Sequence, residues 1–320
     1  MPTESELQPV LRSYWHPVAL SRSVTDKPVA LQLLNERIAL FRVSGAVVCL
    51  QDLCIHRGTP LSLGWIDGDR IVCAYHGWNY DCSGVCVKIP ATPGRPIPAK
   101  ARVPAYSCTE RFGLVWVCLE QNPRAPIPEC PEFDAPDHYI DFVGPFTWNC
   151  SAARSIENFV DQAHFPWVHE GILGDRDHPE TIPVEVERLP EELRFGFTDK
   201  PNPMHPVPHA RVYRMFRPFT IHQRKERQDG ALEASFFTVT PHSARKSTSY
   251  LYVIRNFELP PDEQQKRHAL DEKIMLQDQV ILENQRPEEL PLDLSLELHI
   301  KGPDAVAVEY RRMMAELGVE

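Results

Sequence analysis

Between Leu20 and Leu119 the apolar residues come in short runs, such as Ile38-Ala39-Leu40-Phe41-Arg42-Val43, Ala46-Val47-Val48-Cys49-Leu50 and Gly113-Leu114-Val115-Trp116-Val117-Cys118-Leu119. Each is closed by Gly, Pro or Asp, and runs of this length and composition predict short antiparallel strands. Proline concentrates in 90–104, 123–136 and 201–218, which marks irregular connections. Beyond 123–136 the period changes. Residues 151–165 carry helical spacing, and 211–227, 231–240 and 247–258 are β-like. Asp229-Gly230 and Pro241-His242-Ser243 would join these three runs into a meander. Two long helical patterns, 262–286 and 303–317, close the chain. The fold class predicted is α+β: an antiparallel β domain over 8–122, then a domain over 123–320 with helices packed on one face of an antiparallel sheet.

Composition narrows the class. Of 320 residues 42% are apolar, enough for a substantial core, and 31 are proline, about twice the usual share of ~5%. With 44 acidic against 34 basic residues the formal charge is −10, which argues against nucleic acid and an anionic membrane as partners. Residues 1–10 lack a basic start leading into an apolar run, and nothing approaches the ~18 consecutive apolar residues of a membrane span, so a cytoplasmic protein is expected. Nine cysteines is an odd number, and a disulfide framework is not expected. Cys49, Cys82, Cys86, Cys108, Cys118, Cys130 and Cys150 read as small buried or half-buried hydrophobes. The basic run Arg224-Lys225-Glu226-Arg227 precedes the turn Gln228-Asp229-Gly230 and reads as a solvated strand end, with docking of an acidic electron-transfer partner as the alternative.

The chemistry-bearing feature is a repeated pairing of one thiol with one imidazole, Cys54-Ile55-His56 and Cys73-Ala74-Tyr75-His76. A Rieske [2Fe-2S] cluster needs two cysteines on one iron and two histidines on the other, so each of two loops must supply one ligand of each kind. Structural zinc is the competing reading, but zinc sites usually pair like with like. Gly58 and Pro60 in the first loop, and Gly77 and Gly84 around the second, let backbone amides approach the sulfides.

A second constellation lies at Asp161, His164 and His169. On a helix Asp161 and His164 share a face, whereas His169 would turn away at roughly 100° per residue unless Pro166 breaks the ladder between them. Two histidines and one carboxylate make the facial triad of non-heme iron(II) oxygenases, with open positions for dioxygen. For the carboxylate, Asp278 falls on the apolar stripe Leu270, Ile274, Ile281 and Leu282 of the helical segment 262–286. A core-facing acid is costly unless paired or metal-bound, so Asp278 is the preferred ligand and Asp271 the fallback.

The stretches 54–62 and 73–84 resemble the loops of Rieske non-heme iron oxygenases, and the D-x2-H-x4-H spacing at 161–169 and the run 277–287 resemble that family's mononuclear iron segments. The likeness extends from Tyr14-Trp15-His16-Pro17-Val18 to Tyr310-Arg311-Arg312. It is nearest the short terminal oxygenase (alpha) components: vanillate O-demethylases, toluenesulfonate methyl-monooxygenases and saxitoxin-pathway hydroxylases. The resemblance implies a [2Fe-2S] cluster on Cys54, His56, Cys73 and His76, and a mononuclear iron(II) on His164, His169 and Asp278, with dioxygen as co-substrate. It also implies that Asp161 is no ligand but a bridge between His164 and the cluster histidine His76 of a neighbouring subunit, hence a homo-oligomer, a trimer by analogy. Monooxygenation of a small molecule, by hydroxylation or dealkylation, is favoured over cis-dihydroxylation of an aromatic ring. The chain has no G-x-G-x-x-G turn and no further cysteine quartet, so NAD(P)H acts only through a separate flavin/iron–sulfur reductase or ferredoxin. An electron carrier of Rieske-ferredoxin type would leave residues 150–320 without purpose, and a zinc-stabilised binding protein would carry no iron. Phe195, Phe197, Met204, Met215, Phe216, Phe236 and Phe237 read as core before pocket lining, and His205 and His209 as an exposed loop.

Overall fold

Because the strand Leu114–Cys118 is buried along its whole length, it reads as an unbroken apolar run rather than an alternating one. It belongs to a six-stranded sheet in the order His16–Leu20, Leu114–Cys118, Ala105–Arg111, Ala46–Gln51, Glu36–Val43 and Val29–Leu33. Every pairing in it is antiparallel. A smaller sheet follows the order Trp65–Asp67, Arg70–Val72, Asn79–Asp81 and Cys86–Lys88. This is a computed structural model describing residues 8–198 and 207–318, and it divides into two compact units with one boundary between Pro126 and Ile127. Met204 and His205 lie outside the described residues.

The second unit is built on a seven-stranded antiparallel sheet in the order Tyr139–Trp148, Lys246–Arg255, Leu232–Ser243, Thr220–Glu226, Ala210–Phe216, Glu192–Thr198 and Glu187–Arg188. The predicted three-run meander is therefore its centre only. The run 211–227 is two strands: Pro218 lacks the N–H a ladder needs, and the chain turns back there. The strand Tyr139–Trp148 is not legible in the sequence because Gly144-Pro145 interrupts its alternation, and the ladder shifts register at that point. Phe195, Met215, Phe236 and Phe237 are buried core, and His209, expected on an exposed loop, is buried as well. Cys82 is the exposed member of the nine free cysteines.

Helix Ala152–Val160 packs against strands Leu232–Ser243 and Lys246–Arg255 and against the helices Pro261–Leu282 and Ala305–Leu317. Ser151 caps it, its hydroxyl accepting from Arg154 N–H at 3.2 Å. The helix does not run on to 165. It stops at Asp161, whose backbone is extended, and a new short helix starts at Phe165 with Pro166 in its first turn, where a missing N–H costs nothing. The break that redirects His169 thus precedes Pro166 rather than being caused by it. On Pro261–Leu282 the buried face is Asp271, Met275, Asp278 and Leu282, while Ile281 is exposed, so the expected stripe is displaced although Asp278 does face inward.

Arg311, 2% exposed, ties this unit together. Its guanidinium donates to both carboxylate oxygens of Glu157 at 2.6 and 2.7 Å, to Glu297 at 2.6 Å and to the Pro291 carbonyl at 3.2 Å. Arg154 donates to the other oxygen of Glu297 at 2.7 Å. Removing one partner of such a buried network strands the remaining charges. Arg311→Met is expected to cost ~3–5 kcal/mol in thermal or denaturant unfolding; a loss below about 1 kcal/mol would show the network to be dispensable.

Candidate metal centres

The two cysteine–histidine loops repeat one backbone design. In the first, Cys54 N–H donates to the Thr59 carbonyl and Gly58 N–H to the Cys54 carbonyl; in the second, Cys73 N–H donates to the Trp78 carbonyl and Gly77 N–H to the Cys73 carbonyl, all between 2.8 and 3.0 Å. Both closures need left-handed backbone four residues after the cysteine, supplied by Gly58 at φ 73° and Gly77 at φ 66°. The second loop links the paired strands Arg70–Val72 and Asn79–Asp81, which fixes its ends.

Cys54 and Cys73 are buried, and the His56 and His76 rings lie 4.6 Å apart toward the surface. Trp78 stacks on His56 at 4.6 Å with planes 5° apart, which orients the ring. His56 Nδ1 is buried with no hydrogen-bond partner among the described residues, a costly vacancy for a polar atom that is not a ligand. Tyr80 Oη lies 3.0 Å from Cys54 Sγ. Burial, and then the neighbouring thiol, push the Tyr80 phenol far up, so it stays protonated and donates toward sulfur. Such bonds tune an iron–sulfur potential. In the sequence Tyr80 reads only as part of the loop, because its contact crosses twenty-six residues. The mixed donor set, two buried sulfurs and two surface imidazoles, fits a Rieske [2Fe-2S] cluster.

In the second unit His164, His169 and Asp278 converge. Asp278 Oδ1 lies 3.0 Å from His169 Nε2 and 3.5 Å from His164 Nε2, and the two Nε2 atoms are 3.2 Å apart. Ligands on one face of an octahedron with bonds of about 2.1 Å sit about 3 Å apart, so the separations suit one small divalent ion. The outer nitrogens are engaged: His164 Nδ1 lies 3.1 Å from Asp161 Oδ2, and His169 Nδ1 lies 2.9 Å from Gln277 Oε1. Both acceptors favour a proton at Nδ1, which leaves both Nε2 lone pairs aimed inward. Burial disfavours charge on His169, but Asp278 and then Gln277 outweigh it and raise its pKa, so the spot attracts positive charge. Gln277 was passed over in the sequence because an amide carries no metal signature. Asp271, the fallback, is not among the converging groups.

Cys130, Glu132 and His222 also converge. There Glu132 pairs with His222 at 2.8 Å and Arg224 at 3.4 Å, a satisfied internal ion pair.

The triad opens on a cavity between the sheet and the helix Pro261–Leu282. Sheet register grades the face from which Arg211, Lys225, Glu233, Gln223, Ser235, Val253 and Leu251 line this cavity. Arg211, Lys225, Glu233 and Arg255 pair directly across four adjacent strands as a charged row. Two residues along, Tyr213, Gln223, Ser235 and Val253 form a mixed row, and two further Met215, Ile221, Phe237 and Leu251 form an apolar one. Phe159 stacks on Phe237 at 4.4 Å and, with Phe165, Leu173, Ile274 and Met275, makes the walls near the triad apolar. Lys225 is therefore not part of a solvated strand end: it is 7% exposed and donates to Glu233 at 2.8 Å.

A family model of the Rieske [2Fe-2S] domain matches residues 14–107, and one of the vanillate O-demethylase oxygenase C-terminal domain matches residues 148–320. Methylxanthine N1-demethylase NdmA of Pseudomonas putida is 32% identical over 321 residues, spanning 96% of this chain and 89% of that protein. Methylxanthine N3-demethylase NdmB of the same organism is 28% identical over 97% of this chain and 90% of its own length. The structure of Pseudomonas putida CBB5 NdmA with caffeine superposes with a TM-score of 0.87 at 30% identity, covering 98% of this chain and 92% of that one. Such kinship implies a separate electron donor and a small-molecule substrate. With two metal-binding designs in one chain and relatives matched along its length, the protein belongs to the Rieske non-heme iron oxygenases, as a terminal oxygenase component akin to the methylxanthine and vanillate demethylases.

Proposed function

We propose that this enzyme is a monooxygenase that oxidises a methyl carbon of a small planar molecule, a methyl on nitrogen or oxygen above all. The carrying observation is the two-histidine, one-aspartate convergence opening on a cavity that is apolar beside it and polar beyond it. Dioxygen, two electrons and two protons convert the methyl to hydroxymethyl with release of water; a hydroxymethyl on nitrogen or oxygen then leaves as formaldehyde. When bound, the iron supplies dioxygen activation and the cluster supplies electrons.

The chain's residues take the following roles in this reading. Cys54, Cys73, His56 and His76 hold the cluster within a domain spanning 8–122, and His164, His169 and Asp278 hold the iron within a domain spanning 123–320. Gln277 and Asp161 fix the two imidazoles by their Nδ1 atoms. Phe159, Phe165 and Leu173 exclude water and orient the methyl group. Electrons come from a flavin/iron–sulfur reductase or a ferredoxin in the cytoplasm, where thiols stay reduced, in keeping with nine free cysteines.

A homotrimer supplies the remaining contact. Asp161 accepts from Ala163 N–H at 2.8 Å and faces His164, which leaves acceptor capacity on a side chain 34% exposed. Asp161 and His164 also line a second hollow with Leu298 and His299. His76 is exposed, and His76 of a neighbouring copy is the donor assigned to Asp161.

The reaction type is tested by screening methylated aromatic and heteroaromatic compounds with a reductase, following oxygen uptake, peroxide and product mass. Loss of a methyl or gain of one oxygen is expected; two oxygens added to a ring would overturn the reading. For the bridge, Asp161→Asn should retain both metals yet slow reoxidation of the reduced cluster in a single turnover by roughly 10–100-fold. A near-normal rate would remove Asp161 from the electron path.

A further inference from the structure

Away from the triad, two acids line the cavity, Glu233 and Asp271, and only the first is met by direct partners. Glu233 is met by Lys225 at 2.8 Å, Arg267 at 3.0 Å and Arg255 at 3.5 Å. Asp271 lines the same cavity, is only 7% exposed, and its Oδ2 has no hydrogen-bond partner among the described residues. An acceptor this buried is costly when left unmet, so an unmet one facing a binding cavity points to a ligand. Asp271 stands two helical turns before Asp278 on the same buried face, about 10 Å along the axis. It therefore sits at the polar end of the cavity, opposite the triad.

We propose that Asp271 is a specificity-determining residue that accepts a hydrogen bond from a neutral N–H or O–H of the substrate, on the side away from the carbon to be oxidised. The neighbours decide the kind of donor. Lys225, Arg255 and Arg267 already surround Glu233 on the cavity floor, and their charge reaches the Asp271 carboxyl, so a further cation such as an ammonium is repelled from this end. Glu233 lines the same cavity, and its negative charge together with that of Asp271 disfavours a substrate carboxylate there. What fits is an uncharged ring N–H, amide N–H or hydroxyl, with the planar body against Ser235, Val253 and Ile274. Burial, reinforced by Glu233, lifts the Asp271 pKa to about 6, so above that pH the group is the carboxylate and accepts. A site built to meet a donor rejects the analogue that lacks it, because its own polar group is then left unmet.

This rests on the proposed monooxygenase cavity, and binding is tested apart from turnover. Two pairs of neutral probes differ by one donor: theobromine against caffeine, ring N–H against N–CH3, and guaiacol against 1,2-dimethoxybenzene, O–H against O–CH3. Affinity for the iron- and cluster-loaded enzyme is measured by calorimetry. In at least one pair the donor-bearing member should bind about tenfold tighter or more. Asp271→Leu, of similar size, should reduce that preference to within about twofold, while Asp271→Asn, which keeps an acceptor, should retain most of it. Equal binding within both pairs, absence of binding by all four, or a preference that survives in Asp271→Leu would overturn the assignment. If Asp271→Leu fails to fold, the wild-type pairs and Asp271→Asn still decide it. An Asp271-dependent preference without any turnover would overturn the demethylation reading alone.

Discussion

Two imidazole lone pairs and a carboxylate oxygen are held against one another within 3.5 Å, and the second unit is organised around keeping them there. A proton on His169 would satisfy Asp278 but leave the His164 lone pair aimed at the same spot; a cation satisfies all three together. The cost of this arrangement is met by its surroundings. Asp161 and Gln277 hold the imidazole tautomers, Asn158 approaches Asp278 at 3.4 Å, and the Arg154–Glu157–Glu297–Arg311 network anchors the helix that ends just before Asp161. The helix break at Asp161 lets two histidines five residues apart meet, which an unbroken helix forbids.

The sheet's contribution is graded polarity. Because side chains alternate and register pairs residues directly across strands, one face of four strands changes from charged to mixed to apolar in steps of two residues. The apolar row lies with Phe159, and the charged row with Arg267. A gradient of this kind favours a bound molecule that sets its apolar end toward the triad and its polar end toward the charged row.

What was legible in the sequence follows the range of the interactions. The cysteine–histidine loops are local: candidate ligands, glycines and turn residues all fall within a few positions, and the backbone design repeats because the spacing does. His164 and His169 were legible for the same reason. Asp278 was found as an acid on an inward face, although the apolar stripe used to place it was displaced by one position, Ile281 being exposed and Met275 buried. Lys225 was misread because its burial comes from neighbours on other strands and on Pro261–Leu282, which no local window contains. Tyr80 and Gln277 were missed because phenol and amide groups carry no distinctive spacing, and their partners lie 26 and 108 residues away.

Both centres in one polypeptide is the claim on which the functional account stands. Iron and acid-labile sulfide measured on the purified protein, together with its absorbance and electron paramagnetic resonance after reduction, address it directly. About three irons and two sulfides per chain are expected, with the spectrum of a histidine-ligated [2Fe-2S] cluster. Zinc without sulfide, or a cluster with no further iron after reconstitution with ferrous ion, would contradict it.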